Sequence, residues 1–348
     1  MKVLITGNDG YIGCILTPLL LEHGHEVVGL DSKLFHDCEF VDPSAGSEPK
    51  IPTLDVDVRT IDVPDLEGFD AIIHLAGISN DPLGDLNPEC TYDINHKASV
   101  RLAELAKEAG VPRFLHSSSC SLYGAAGDDL VNENASFNPV TPYGISKVRV
   151  EQDVSPLADD NFSPTFLRNS TAYGCSPRLR ADLVVNNLVG YAYTTGRVLL
   201  KSDGTPWRPL VHVEDISRAF LAVLHAPRDR VHNQAFNVGS SQENYRIREV
   251  AEIVSDVVPG SRIEFANGAG PDKRCYRVDC DKILSMLPES RPHWTVRRGA
   301  EELYDAYQRH GLTLEEFESS RYLRIKHVRE LQGQGKLDSQ LRWTNGQG

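Results

Sequence analysis

Short apolar, β-branched runs alternate with segments of helical period, and this alternation limits the possible folds more than any other feature of the chain. The runs are VLIT (3–6), EVVGL (26–30), a segment near IPTLDVD (51–57), AIIHLA (71–76), RFLHSS (113–118), TFLRN (165–169) and AFNVG (235–239), with helix patterns near 11–23, 93–109, 144–158 and 214–225. Strands separated by helices predict a parallel sheet covered on both faces. Runs that are apolar throughout, such as AIIHLA, fit strands buried on both sides. Ligands of such sheets bind beyond the carboxyl ends of the strands, so the residues that follow each strand carry the functional information. After about residue 175 the rhythm changes: RLRADLVVNNLVGYAYTTG predicts one long helix, and RVLLKSDGTPWRPLVHVEDI a short strand, a turn and a return to the first lobe. The expected fold is an α/β, Rossmann-like doubly wound parallel sheet with a smaller C-terminal substrate-binding lobe. Residues 1–175, joined by about 208–240, form the first domain, and 176–348 the second with a helical tail.

The first strand is followed by GNDGYIG, with glycines at 7, 10 and 13, and then by a helix pattern with Ile12, Ile15, Leu16, Leu19 and Leu20 on one face. Pro18 lies inside that pattern and should remove a backbone hydrogen bond without ending the helix. Glycines there let the turn close and let the backbone approach a pyrophosphate at the helix N-terminus. Asp31 ends the next strand, where its carboxylate can accept hydrogen bonds from both ribose hydroxyls of an adenosine and would repel a 2′-phosphate, which favours NAD over NADP.

Charge and cysteine content narrow the partners. With 36 Lys and Arg against 49 Asp and Glu, the net charge is −13, which disfavours nucleic acid and anionic membrane. An anionic ligand therefore needs local arginines or lysines. Seven scattered cysteines without a C-x-x-C pair read as reduced thiols in a cytoplasmic protein, with neither a disulfide frame nor a metal site. The chain starts directly on a strand pattern, and no apolar run approaches about 18 residues, so neither secretion nor a membrane span is expected.

Two further segments carry chemistry. HSSSCSLYG (116–124) follows a strand, and PYGISK (142–147) opens a helix. Tyr143 and Lys147 are four apart and project from one helical face. A cation about 4 Å from a phenol contributes roughly 4 kcal/mol at an effective dielectric of 20, or about three pKa units. That would bring a tyrosine into general-base range, and a serine after the neighbouring strand can hydrogen-bond the same substrate oxygen.

Taken together, GNDGYIG, Asp31, Asp57-Val58, HLAG (74–77), Asn95, SSSCSLYG, YGISK, LRNSTAYG (167–174) and RPLVHVEDISRA (208–219) resemble the extended short-chain dehydrogenase/reductase family, in particular its nucleotide-sugar branch, through about residues 1–290. The resemblance implies that Gly7, Gly10, Tyr11, Ile12 and Gly13 wrap the NAD pyrophosphate and that Asp57 and Val58 flank the adenine. Leu75, Ala76 and Gly77 would line the cofactor channel, with Asn95 and Ser117 also on the cofactor and Lys147 on the nicotinamide ribose. It further implies a catalytic set of Ser119, Tyr143 and Lys147. On the substrate side it implies Ser119, Thr171, Asn187 and two diphosphate-binding arginines, Arg208 and Arg274.

Departures from the family pattern narrow the reaction. Dehydratases of the branch carry Asp-Glu directly after the catalytic Ser or Thr, where this chain has Cys120 and Ser121. Thr171 stands where the epimerases have an asparagine on the sugar phosphate. The expected activity is NAD-dependent epimerisation of a nucleotide-diphosphate sugar, at C4, through a transient 4-keto intermediate. The alternatives are a 4-ketoreductase, a uronic acid nucleotide decarboxylase and a non-catalytic cofactor sensor. The resemblance also implies a homodimer built on the helices that carry Asn95 and Tyr143. The tail 311–344 lies beyond the family motifs. Tyr322, Leu323, Ile325, Val328 and Leu331 can form one helical face, packed on its own domain, closing as a lid or meeting a second subunit.

Overall fold

The computed structural model describes residues 1–42, 49–79, 81–270 and 274–344. All seven expected strand runs enter one parallel sheet. Its strands are Lys2–Thr6, Glu26–Leu30, Thr53–Leu54, Ala71–His74, Arg113–Ser119, Ser163–Asn169 and Gln234–Val238. In space the order is third, second, first, fourth, fifth, sixth, seventh. The order reverses between Lys2–Thr6 and Ala71–His74, which pair Val3 with Ala71 through Thr6 with His74. A crevice therefore opens where the chain leaves these two neighbours in opposite directions.

The two-residue period of the strands builds a core on each face. Val3, Ile5, Ile73, Leu115 and Leu167 point to one side, where they pack with Leu16 and Leu20 of helix Gly13–Glu22 and with Ile216 and Phe220 of helix Val213–His225. Leu4, Ile72, Phe114 and Phe166 point to the other, against Leu102 and Ala106 of helix Ala98–Glu108 and Val150 and Val154 of helix Pro142–Val154. Each fully buried Leu or Phe contributes about 1.5–3 kcal/mol, which is why Pro18 is tolerated: the buried stripe of Gly13–Glu22 runs across it.

A third core lies beyond the strand ends. It joins helices Val184–Thr195, Ile247–Val257 and Val296–His310 around Val189, Val250, Leu303 and Tyr307. The expected long helix from residue 178 starts only at Val184. The Asn186 side chain donates to the Arg180 carbonyl (3.1 Å) and that of Asn187 to the Ala181 carbonyl (2.7 Å). Those bonds hold 178–183 as a loop over the crevice. Strand Trp207–His212 does not enter the large sheet; it pairs with Thr171–Tyr173 and Asn244–Arg246. Among the described residues, no helix is long and apolar enough to cross a membrane, and all seven cysteines are free.

Candidate active site

A cavity of about 580 Å³ follows the crevice at the strand ends and continues toward the third core. Its first wall is the loop from Gly7 to Gly13. Gly7 has φ +78°, and a Cβ there would lie 2.8 Å from the Ala76 nitrogen; a Cβ on Gly13 would lie 2.3 Å from the Gly7 carbonyl oxygen. Only glycine lets the two loops of the switch point touch. The helix that starts at Gly13 has no side-chain cap and no acidic residue in its first turn. Its N-terminal N–H groups and positive dipole end therefore face the cavity as an anion-binding terminus. A positive helix end beside a glycine cradle that a Cβ would fill is what a pyrophosphate requires, so these residues fit the dinucleotide expected from the sequence.

Asp31 sits at the same end. Its carboxylate accepts the backbone N–H of Asp9 (3.1 Å) and of Lys33 (2.8 Å). Burial nevertheless raises the Asp31 carboxyl from 3.8 to about 6, with the nearby Asp9 carboxylate adding to the rise. Because the folded value lies above the unfolded one, its contribution to stability is full below about 3.8 and is lost as the pH rises through about 6. A ligand whose hydroxyls donate to this carboxylate prefers it ionised. Dinucleotide affinity should therefore climb as the pH rises through about 6, and Asp31→Asn should flatten the climb. Calorimetric titration of NAD⁺ across that range checks this; an unchanged slope in the variant would assign the dependence to another group.

Asp57 and Val58 line the cavity next to Asp31, and Asp57 is paired with Arg59 (2.5 Å). Leu75, Ala76 and Gly77 line it from the other side of the switch point, as do Tyr11, Ile12 and Ser117. Asn95 is not on the wall. It is buried behind Gly77, with its amide accepting from the Ile78 N–H (2.7 Å) and donating to the Ile78 carbonyl (2.8 Å). Both amide atoms that a cofactor would use are thus engaged, so Asn95 acts on the 75–79 backbone. It lies in a π-helical turn, Asp93–Lys97.

Ser119, Tyr143 and Lys147 meet in the middle of the cavity. Ser119 is the last residue of its strand, and Thr141 caps helix Pro142–Val154 by accepting from the Gly144 N–H (3.2 Å). Those two elements set the geometry. The Lys147 ammonium donates to the Ser117 carbonyl (2.6 Å) and stands 5.7 Å from the centre of the Tyr143 ring. Burial brings Lys147 down to about 8, with the Glu151 carboxylate opposing. Burial also pushes the Tyr143 phenol up to about 12, opposed by a hydrogen bond with the Ser119 hydroxyl and by the charge of Arg180. Desolvation thus sets the direction of the Tyr143 shift, against the lowering expected from Lys147, whose ammonium is bonded to the Ser117 carbonyl.

The far end of the cavity is lined by Thr171, Arg208, Arg274, Tyr276 and Asp81. Arg208 donates to the Arg274 carbonyl, and Arg274 is ion-paired with Asp81. Residues 271–273 of the GPDKRCYRVD motif lie outside the described residues. Asn187 is not on the wall, since its amide holds the 178–183 loop. The sequence reading missed what that loop carries. Arg180 lines the cavity, is buried, pairs with Asp182 (2.8 Å) and donates to the Ser79 hydroxyl (2.9 Å). Arg178 pairs with Asp9 of the glycine loop, and His36 Nδ1 lies 2.7 Å from the same carboxylate. The contacts of Arg178 with Asp9 and of Arg180 with Ser79 join residues more than 100 apart, so no local pattern marks them.

Comparison with known proteins adds to this geometry. Residues 3–239 match the model of the NAD dependent epimerase/dehydratase family. The chain is 26% identical over 331 residues to a UDP-glucose 4-epimerase of Bacillus subtilis, covering 87% of this chain and 94% of that protein. It is 28% identical over 312 residues to a UDP-glucose 4-epimerase of Neisseria meningitidis serogroup C, covering 80% and 89%. Among solved structures, MoeE5 in complex with UDP-glucuronic acid and NAD superposes with a TM-score of 0.75 at 26% identity, over 89% of this chain and 99% of that one. The UDP-glucose 4-epimerase of Thermotoga maritima shares the fold, with a TM-score of 0.76 at 20% identity over 90% and 100% of the chains.

Proposed function

Since this chain belongs to the NAD dependent epimerase/dehydratase family, we propose that it is an NAD-dependent epimerase that inverts C4 of a nucleotide-diphosphate sugar. The observation that supports this reading is the single cavity shared by the glycine loop, Asp31, Ser119, Tyr143 and Lys147. When bound, NAD⁺ supplies the acceptor for the C4 hydride and gives it back. Gly7, Gly10, Tyr11, Ile12 and Gly13 hold its pyrophosphate, Asp31 its adenosine ribose, and Asp57 and Val58 its adenine. Leu75, Ala76, Gly77 and Ser117 line its path, and Lys147 holds its second ribose.

The chain's own groups handle the proton and the developing charge. Tyr143 removes the proton of the C4 hydroxyl, and the Ser119 hydroxyl donates to the oxygen that becomes the ketone. The Lys147 ammonium and the Arg180 guanidinium favour the tyrosinate over the phenol. The 4-keto sugar then turns over, and Tyr143 returns the proton when C4 is reduced from the other face. Arg208 and Arg274 hold the substrate diphosphate, and Thr171 contacts the substrate beside them. Carboxylates for a dehydration are missing next to Ser119, where Cys120 and Ser121 stand.

Residues 1–175 with about 208–240 form the NAD-binding domain, and 176–348 the lobe that takes the sugar nucleotide. The protein works in the cytoplasm as a homodimer through the helices that carry Asn95 and Tyr143, a state that light scattering after size exclusion tests. Mass spectrometry of the purified, denatured protein tests the coenzyme: release of NAD(H) without NADP(H) is the expected result, and NADP(H) would overturn the role given to Asp31.

A further inference from the structure

The tail folds back on the cofactor groove. After helix Arg324–Gly333, residues 336–344 form a small hairpin, with Leu337 bridged to Trp343 and Thr344 N–H donating to the Lys336 carbonyl (3.0 Å). Its anchors lie at the same end of the cavity as Asp31 and Asp57. The Trp343 indole N–H donates to the carbonyl of Ser32, one residue beyond Asp31 (2.7 Å). Arg59 pairs with Asp57 and reaches across to the carbonyls of Gln340 (2.8 Å) and Leu341 (3.4 Å). The Asn87 amide donates to the Ser339 carbonyl (2.9 Å). Leu341, held at φ +55°, lies in an apolar cluster with Phe35, Ile78 and Leu83, and it lines the large cavity itself. Upstream, the Arg324 guanidinium also lines the cavity and sits 4.0 Å from the Phe35 ring centre.

We propose that the hairpin 336–344 is a strap that forms an outer wall of the adenosine end of the groove and sets the rate at which the dinucleotide leaves. This rests on reading that end as the adenosine site. The strap ties together the two loops, 31–35 and 57–59, that flank the site, so a ligand held between Asp31 and Asp57 is enclosed by Leu341. The strap is also built to detach. A second cavity of about 200 Å³ lies beside the strap, lined by Gln332, Ser339 and Leu341 together with Leu86, Asn87 and Cys90. Hydrogen bonds to backbone carbonyls, the Arg342–Asp93 pair (4.0 Å) and two leucines, buried Leu337 and half-buried Leu341, hold it beside an incompletely filled gap. An epimerase that regenerates its coenzyme in every cycle gains from slow release.

The test is stopped-flow fluorescence of protein-bound NADH chased with excess NAD⁺, on the wild type, on the chain ended after Gly335, and on Trp343→Phe, which keeps an aromatic ring at that place and removes the indole N–H that bonds Ser32. Dissociation should accelerate roughly tenfold or more on truncation and roughly fivefold in Trp343→Phe, with the midpoint of thermal unfolding of Trp343→Phe little changed. If the truncated chain does not fold, Trp343→Phe decides alone. Unchanged dissociation from folded variants that bind NADH would overturn the strap and leave the epimerase reading intact. A lower unfolding midpoint with unchanged dissociation would make the hairpin merely structural. A wild type that binds no dinucleotide would overturn the adenosine-site reading and the strap with it.

Discussion

Tyr143→Phe should lower turnover by about 10²–10⁴-fold, the usual contribution of a positioned general base, and leave bound NAD in place. The hydroxyl is the only group lost, and the ring still fills its half-buried site. Its oxygen is the group that faces Ser119, and the cofactor-facing contact of the helix belongs to Lys147 and the Ser117 carbonyl. Substrate KM should therefore move little while kcat falls, because the interaction removed strengthens only as the C4 proton leaves. Coenzyme content measured on the same preparation separates this outcome from a collapsed site. A loss under about tenfold would remove Tyr143 from the proton transfer. Because burial outweighs the opposing Ser119 and Arg180 and holds the phenol at about 12, the rate of the wild type should still rise with pH above neutrality.

Arg168→Met should be the most damaging single change to stability, at about 3–5 kcal/mol, the cost of leaving one partner of a buried ion pair alone. Arg168 is 4% exposed and Glu151 6%. They are joined through both guanidinium Nε and terminal nitrogens, at 3.1 Å and 2.6 Å. Arg168 also donates to the Tyr123 hydroxyl (2.9 Å), which donates to Asn237 (2.8 Å), while Ser118 donates to Glu151 (2.5 Å). This network fastens strand Arg113–Ser119 to helix Pro142–Val154 one turn beyond Lys147, so it fixes how Ser119 faces Tyr143. Urea titration of Arg168→Met, Glu151→Leu and the double variant checks the account. The double variant should recover much of the loss, because neither charge is then left buried alone. Losses that simply add would show that the pair is not coupled.

The parts of this molecule that were readable in the sequence are those fixed within one element or one loop. GNDGYIG needs only the strand before it and the helix after it, and both are marked by periodicity. Tyr143 and Lys147 share a helical face whatever the helix packs on. The inner strands of the sheet show as apolar runs because both their faces are covered, whereas the edge strand Thr53–Leu54 is half-buried and marked only weakly. The rest depends on contacts that no local pattern encodes. Asn95 and Asn187 carry side chains suited to ligands, yet each amide is engaged by the backbone of a neighbouring segment. Arg178 and Arg180 looked like the start of a helix until Asn186 and Asn187 took the loop carbonyls. The phenol of Tyr143 was expected to feel Lys147 at about 4 Å; the direction the ammonium takes, toward Ser117, follows from how strand and helix dock. The tail showed an apolar face, but its place over the adenosine end rests on Trp343, Arg59 and Asn87, which lie far apart in sequence.

The most direct test of the central claim is to incubate the purified protein, with no coenzyme added, with UDP-glucose and separately with its C4 epimer, and with other nucleotide-diphosphate sugar pairs if these are inert, and to follow both isomers by proton NMR. The account predicts that one pair interconverts to the same ratio from either side with no net change in absorbance at the reduced-coenzyme band. Conversion that proceeds only with stoichiometric consumption of NADH or NADPH, or that yields a product differing from the substrate by two hydrogens, would contradict it.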